Sequence, residues 1–186
     1  MKCIAKSEKK LLMGKFLFLT VLLGLFPLLV RAQETPKAEV FGGYQFTHIG
    51  GSDGLNLNGW NASVTGNVNK WFGVAADFSG SYHTESGGSL KVYSYTFGPV
   101  FSMNHQGTFN PFVHALFGGA HASASLTGVG SAATNGFTMA MGGGADAKVN
   151  PHFAVRLFQA DWVYYRFEGV GESKNARVST GVVFRF

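Results

Sequence analysis

The stretch Trp60-Asn-Ala-Ser-Val-Thr-Gly-Asn-Val-Asn69 is followed, after Lys70-Trp71, by Phe72-Gly-Val-Ala-Ala-Asp-Phe-Ser-Gly-Ser-Tyr-His83. In the first segment Trp60, Ala62, Val64, Gly66 and Val68 fall on one side of an extended chain, with Asn61, Ser63, Thr65, Asn67 and Asn69 on the other. The second segment repeats the pattern, with Phe72, Val74, Ala76, Phe78 and Tyr82 opposite Ala75, Asp77, Ser79, Ser81 and His83. A period of two means successive side chains point to opposite faces of a strand. The two segments therefore read as neighbouring antiparallel strands joined by a tight turn at Lys70-Trp71.

Working outward from this pair, six more segments of the same kind occur, and no helical periodicity follows residue 32. The eight expected strands run from Ala38 to His48, Gly59 to Asn69, Phe72 to His83, Leu90 to Ser102, Pro111 to Ser123, Phe137 to Val149, Phe153 to Arg166 and Asn175 to Phe186. Four gaps are rich in Gly, Ser, Asn and Thr and read as long loops: Ile49 to Asn58, Thr84 to Ser89, Leu126 to Asn135 and Phe167 to Lys174. Of the three gaps between them, two are tight, at Lys70-Trp71 and Asn150-Pro151-His152, and the one at Asn104 to Asn110 is a little longer. An even strand number, with long loops on one rim and short turns on the other, is the layout of a transmembrane β-barrel.

Composition limits the alternatives. The chain has 186 residues and a formal charge of +5. Residues 1–32 account for that excess: Lys2, Lys6, Lys9, Lys10, Lys15 and Arg31 stand against Glu8 alone. The other 154 residues carry nine basic and nine acidic groups, so no basic stripe exists to displace counterions from phosphates, and nucleic acid is excluded as a partner. That charge density is about half the roughly 25% of ordinary soluble domains. A soluble lipocalin-like ligand-binding barrel, with the apolar face turned inward, would expose mostly Asn, Ser, Thr and Gly, a poor colloidal surface. Where water is absent only a closed barrel can satisfy every backbone group of a sheet, so the apolar face should meet lipid and the polar face the lumen.

The first segment has the parts of a secretory signal: a lysine-bearing start, the apolar run Phe16 to Val30, and Val30-Arg31-Ala32 at the expected cleavage point. The run is shorter than the roughly 20 residues of a membrane helix and is broken by Pro27. Residues 1–32 are therefore expected to be removed after Sec-dependent export, leaving a barrel domain over 33–186. The single Cys3 lies inside the signal without a lipobox, so neither disulfide nor lipid anchor is expected in the mature chain.

The chain ends Val178-Ser-Thr-Gly-Val182-Val-Phe184-Arg-Phe186. With Tyr95-Thr-Phe-Gly-Pro99, Asn110-Pro-Phe-Val-His114 and Val155-Arg-Leu-Phe-Gln-Ala-Asp161, this end resembles the small outer-membrane β-barrel family, the OmpA-like transmembrane barrels, over Glu39 to Phe186. The resemblance implies an all-β, eight-stranded, antiparallel up-and-down barrel in the outer membrane of a diderm (Gram-negative) bacterium. It implies that Val182, Phe184 and Phe186 form the assembly signal read by the barrel-assembly machinery, with periplasmic chaperones on the way. The peptidoglycan-binding domain of the larger family members has no counterpart in the sequence, so no wall-tethering role is expected.

Within the strands, Glu39, Asp77, Asp146 and Asp161 and the bases Lys148, Arg156, Arg177 and Arg185 take inward positions. Counting height from the short-turn rim sets Asp146 beside Arg156, Asp161 beside Arg177, and Arg185 beside Glu39 where the last strand meets the first. Arg156 and Asp161 differ in parity, so both can point inward only with a β-bulge near Phe158. An interior of ion pairs predicts a plug, since eight strands enclose just enough room for side chains. Trp60, Tyr82, Trp162 and Tyr164 towards the long-loop rim, and Trp71 at the other, read as an aromatic girdle together with Phe72, Phe112, Phe184 and Phe186.

No catalytic constellation stands out. His48, His83, His105, His114, His121 and His152 are scattered without metal-ligand spacing, and a hydrogen-bonding role at the rim or in the interior is expected for them. His121-Ala-Ser123 resembles the His-x-Ser pair of barrel-shaped lipid A deacylases but lacks a nearby acid to orient the imidazole. Gly142-Gly-Gly144 lacks the lysine and following helix of a phosphate loop and reads as close strand packing. The expectation is a structural or interaction barrel with no enzymatic activity and no cofactor or metal, with four loops outward. The alternative is a narrow channel or solute-uptake porin. Expected partners are outer-membrane lipid and lipopolysaccharide; a monomer is expected, and the loops carry no motif that names a surface ligand.

Overall fold

The computed structural model describes residues 36–50, 54–85, 87–103, 107–126, 128 and 130–186. The expected signal segment at 1–32, the residues 33–35 after it, and His105 lie outside the described residues. Eight strands follow one another: β1 (Ala38–Ile49), β2 (Leu55–Asn67), β3 (Phe72–Glu85), β4 (Gly88–Ser102), β5 (Phe109–Leu126), β6 (Gly130–Asn150), β7 (Phe153–Phe167) and β8 (Val170–Arg185). Each pairs antiparallel with its neighbours in sequence, and β8 returns to β1 through a ladder from Glu39↔Arg185 to His48↔Ala176. The result is a closed, eight-stranded, up-and-down barrel without a free edge around its waist. Lys37 N donates to Phe186 O at 2.7 Å, so both chain ends of the barrel meet at one end, the terminal end; the opposite end is the distal one.

The alternation of the sequence becomes the two faces of the wall. Val64, Val74 and Tyr95 are 49%, 50% and 50% exposed and point outward, while Asn61, Asp77 and Ser79 between them are buried in the lumen. Such an outward apolar band cannot face water at low cost, which turns the lipocalin-like arrangement of faces inside out. The interior is not uniformly polar, however. Inward positions also carry Leu57, Val92, Leu116, Ala120, Ala140, Val163 and Tyr165, which form one apolar cluster of the core. Ionic side chains are packed beside this cluster.

The strands overrun the gaps expected to be long loops. Half of Ile49 to Asn58 and most of Thr84 to Ser89, Leu126 to Asn135 and Phe167 to Lys174 is strand, and the strands leave 50–54, 86–87, 127–129 and 168–169 between them at the distal end. Small polar residues are poor strand formers alone, but a ladder partner supplies their backbone hydrogen bonds, as in Ala122↔Thr134 to Leu126↔Gly130. Turn chemistry ends these ladders: Glu168 (φ 49°) and Gly169 (φ 87°) give the two positive φ angles of a two-residue hairpin.

The bulge lies on β7. Arg156 and Gln159 are both buried, and Leu157 and Phe158 between them are both exposed. On one side Ala145 pairs with Phe158 but Asp146 with Arg156; on the other Arg156 pairs with Gly181 but Gln159 with Ser179. The extra residue reverses the parity of β7, so that Arg156 and Asp161 both enter the lumen.

Candidate functional site: an ion-paired lumen

The lumen is crossed by a continuous chain of charged and amide groups supplied by seven of the eight strands. At the terminal end Arg185 of β8 places its Nε 2.9 Å from Glu39 Oε1 of β1, and its second terminal nitrogen lies 3.8 Å from Asp146 Oδ2 of β6. Asp146 accepts from Arg156 Nε at 2.8 Å and from its terminal nitrogen at 3.3 Å. The Arg156 guanidinium is held between the rings of Phe41 and Phe112, 4.3 Å from each centroid, where its charge faces two π-clouds. It also donates to Gln159 Oε1 at 2.7 Å, and Gln159 Nε2 donates to Asp161 Oδ2 at 2.8 Å.

Asp161 is the hub. Its Oδ2 accepts from Arg177 Nε at 2.8 Å, and His114 Nε2 stands 2.8 Å from its Oδ1. Arg177 then reaches across the lumen from β8 to β3, donating to Asp77 Oδ1 at 3.0 Å. Asp77 Oδ2 accepts from Asn61 Nδ2 at 2.8 Å. Arg177 and Asp161 are each 3% exposed and Asp77 2%, so these are charges removed from water and compensated by geometry. Gly142 makes room for the hub: a Cβ there would stand 2.3 Å from Asp161 Oδ1.

Every residue assigned to interior pairing from the sequence has a place in this chain. The structure sets Asp146 with Arg156, Asp161 with Arg177 and Glu39 with Arg185. Lys148 stays half-buried, with no ion pair among the described residues. Sequence reasoning missed the Asp77–Arg177 span, the Arg185–Asp146 contact, and the roles of Gln159, Asn61 and His114. Inward parity was visible for Asp77, Asn61 and His114, but comparing heights on adjacent strands cannot find a partner on the opposite wall. One cavity within this network is small, about 20 Å³, and is lined by Glu39, Asp77, Asp146, Ser63, Ser102 and Asn110 among others. That is room for about one water.

The other sequence candidates lie elsewhere. Trp60, Tyr82, Trp162 and Tyr164 point outward in the distal half; Trp60 Nε1 donates to the Tyr82 hydroxyl at 3.1 Å and Trp162 Nε1 to Ser173 O at 2.6 Å. Trp71 stacks on Phe101 at the terminal rim, with centroids 6.0 Å apart. Phe112, read as girdle, is instead buried in the lumen against Arg156, because its parity on β5 matches that of Asn110 and His114. Val182, Phe184 and Phe186 face outward on the last strand, and Phe184 packs edge-on against Phe153 at 5.5 Å. His121 bonds Asn135 Oδ1 through Nδ1 at 2.8 Å, so its orienting partner is an amide and not an acid. His48, His83 and His152 also make hydrogen bonds near the strand ends. Among the described residues no group of His, Cys, Asp and Glu is disposed to hold a metal ion.

Compared with known families, residues 18–186 match the model of the outer membrane protein beta-barrel domain. No curated protein matches the sequence. Among solved structures the chain is similar to Ail, the attachment invasion locus protein of Yersinia pestis, at 23% identity and a TM-score of 0.60, over 82% of this chain and 99% of that one. Neisserial surface protein A is similar at 16% identity and a TM-score of 0.69, over 81% and 97%. The N-terminal β-barrel domain of OprF from Pseudomonas aeruginosa is similar at 16% identity and a TM-score of 0.54, over 82% and 99%.

Proposed function

The chain belongs to the family of the outer membrane protein beta-barrel domain, and from that premise we propose that it is a sealed structural and interaction barrel of the bacterial outer membrane, with an ion-paired, non-conducting interior. The observation that carries this reading is Arg177, which bridges Asp161 on the neighbouring strand and Asp77 on the facing wall. A side chain tied at both sides of the lumen closes the path of a hydrated ion, and the apolar cluster of Leu57, Val163 and Tyr165 offers such an ion no ligands. The distal hairpins, longest at β5–β6, are the surface offered outward. In this reading the protein does no covalent chemistry and needs no cofactor. Residues 1–32 are removed on Sec-dependent export, and Val182, Phe184 and Phe186 present the last strand to the assembly machinery. The barrel works as a monomer.

Planar-bilayer recording tests the sealed interior. Wild type should give no unitary conductance, and Arg177→Ala combined with Asp77→Ala should raise ion leakage by removing the bridge. Steady, voltage-independent conductance from wild type would favour the narrow-channel alternative and refute this reading.

A further inference from the structure

The terminal half of the lumen is filled unevenly around its circumference. Long side chains enter from β7 and β8, at Arg156, Gln159 and Arg185, whereas β2, β3 and β4 supply Ser63, Thr65, Ala75 and Ser102. Short side chains on one wall leave the cavity of about 20 Å³, and it lies where two ion-paired groups meet. Glu39, Asp146 and Arg156 line it from the terminal group, and Asp77, His114 and Gln159 from the group around Asp161. Gln159 joins the two groups on the β7 wall, accepting from Arg156 and donating to Asp161. On the wall of β2 to β4 the cavity separates them.

This cavity is rich in acceptors and short of donors. A carboxylate accepts hydrogen bonds and cannot give them. Four acids are buried in the lumen, Glu39, Asp77, Asp146 and Asp161, against three guanidiniums, Arg156, Arg177 and Arg185. Two of the guanidiniums are already committed, Arg156 to Asp146 and Gln159, and Arg177 to Asp161 and Asp77. Ser63 and Ser102 are 8% and 7% exposed and line the cavity from β2 and β4, and neither hydroxyl has a hydrogen-bond partner among the described residues. Buried polar groups of this kind are as a rule satisfied, by protein or by ordered water.

We propose that the cavity is a binding site for a single ordered water, which donates its two hydrogens to carboxylates of the cavity and accepts from the hydroxyls of Ser63 and Ser102. A buried water needs about 10 to 15 Å³ and two to four polar partners, and the cavity offers both. A neutral donor fits better than a metal ion, because among the described residues the acids do not converge as metal ligands. The water is a joint: it ties the small-residue wall of β2 to β4 into the network that β6, β7 and β8 carry. The inference deepens the sealed-interior reading and rests on it, since a water held from several sides gives way to no passing ion.

The test is a double-mutant cycle on the mature barrel in lipid vesicles, with urea unfolding of wild type, Ser63→Ala, Ser102→Ala and the two together. Each single substitution should raise the unfolding equilibrium constant by about fivefold, the worth of one hydrogen bond. The double variant should raise it by much less than the product of about twenty-five, because the second hydroxyl has no water left to share. Strict multiplication of the two effects overturns the inference. A second measurement stands whether or not the variants keep the gel shift of a folded barrel: magnetisation transfer from water in solid-state NMR of wild type should reach Ser63 and Ser102 and pass over outward-facing Val64. No transfer to either serine overturns the inference too. Stabilisation of wild type by potassium chloride over choline chloride at equal ionic strength would put a cation in the cavity and overturn the water. Independent serines in a barrel that does not conduct would refute the water and leave the seal, whereas unitary conductance refutes the seal itself.

Discussion

Arg177 is the residue whose loss should cost the barrel most, and the arrangement of its partners ranks the cost. Arg177→Met leaves two buried carboxylates facing each other with only neutral amides, His114 and each other's field. Breaking one buried pair from one side costs about 3 to 5 kcal/mol, and the loss of a shared cation should reach the upper end of that range. Asp161→Ala leaves Arg177 with Asp77 at 3.0 Å, so its cost should lie near the lower end, about 3 kcal/mol. The combination of Asp77→Asn, Asp161→Asn and Arg177→Met removes all three charges and should recover much of the loss, because nothing ionic is left unpaired. Reversible urea unfolding in lipid vesicles, followed by tryptophan emission and by the gel shift of unboiled samples, gives the free energies for each variant. Strict additivity of the substitutions would refute the network, since coupled neighbours should deviate by about 0.5 to 3 kcal/mol. The ranking itself fails if Arg177→Met costs no more than Asp161→Ala.

The assignment of faces predicts that Val64→Arg, outward on β2, costs roughly 2 to 4 kcal/mol in vesicles, whereas Thr65→Gln, which enters the lumenal cavity, costs much less; equal costs would reverse the faces. Deleting Phe186 should lower the amount inserted in cells and leave a protease-sensitive periplasmic pool, because strand addition to the assembly machinery reads the terminal aromatic. The same truncated barrel refolded into vesicles should lose little stability, and a loss there equal to the loss in cells would reduce Phe186 to an interfacial anchor.

Strand identity and side-chain direction were legible in the chain itself, because a period of two is a local property. Trp60 to Asn69 and Phe72 to His83 carry their faces residue by residue, whatever lies across the sheet. The same parity arithmetic required the bulge on β7, where two inward groups, Arg156 and Asp161, are separated by an odd step. Adjacent-strand pairs such as Asp146 and Arg156 need one further quantity, the height above a turn, which strand lengths supply. Strand ends were not legible. Ala124 to Leu126 and Gly130 to Ala133 have little strand propensity of their own and extend because each is the other's ladder partner. Contacts across the lumen were out of reach for a stronger reason. Whether Arg177 meets Asp77, or Phe41 and Phe112 clasp Arg156, depends on the barrel's diameter, stagger and tilt, which exist only once β8 has closed on β1. The sequence by itself thus determined the facing of the charged side chains that enter the lumen, though Phe112 was read as girdle and lies inside, and the closed tertiary structure decided which of them meet, because facing direction is set within one strand and distance across a barrel is set by all eight.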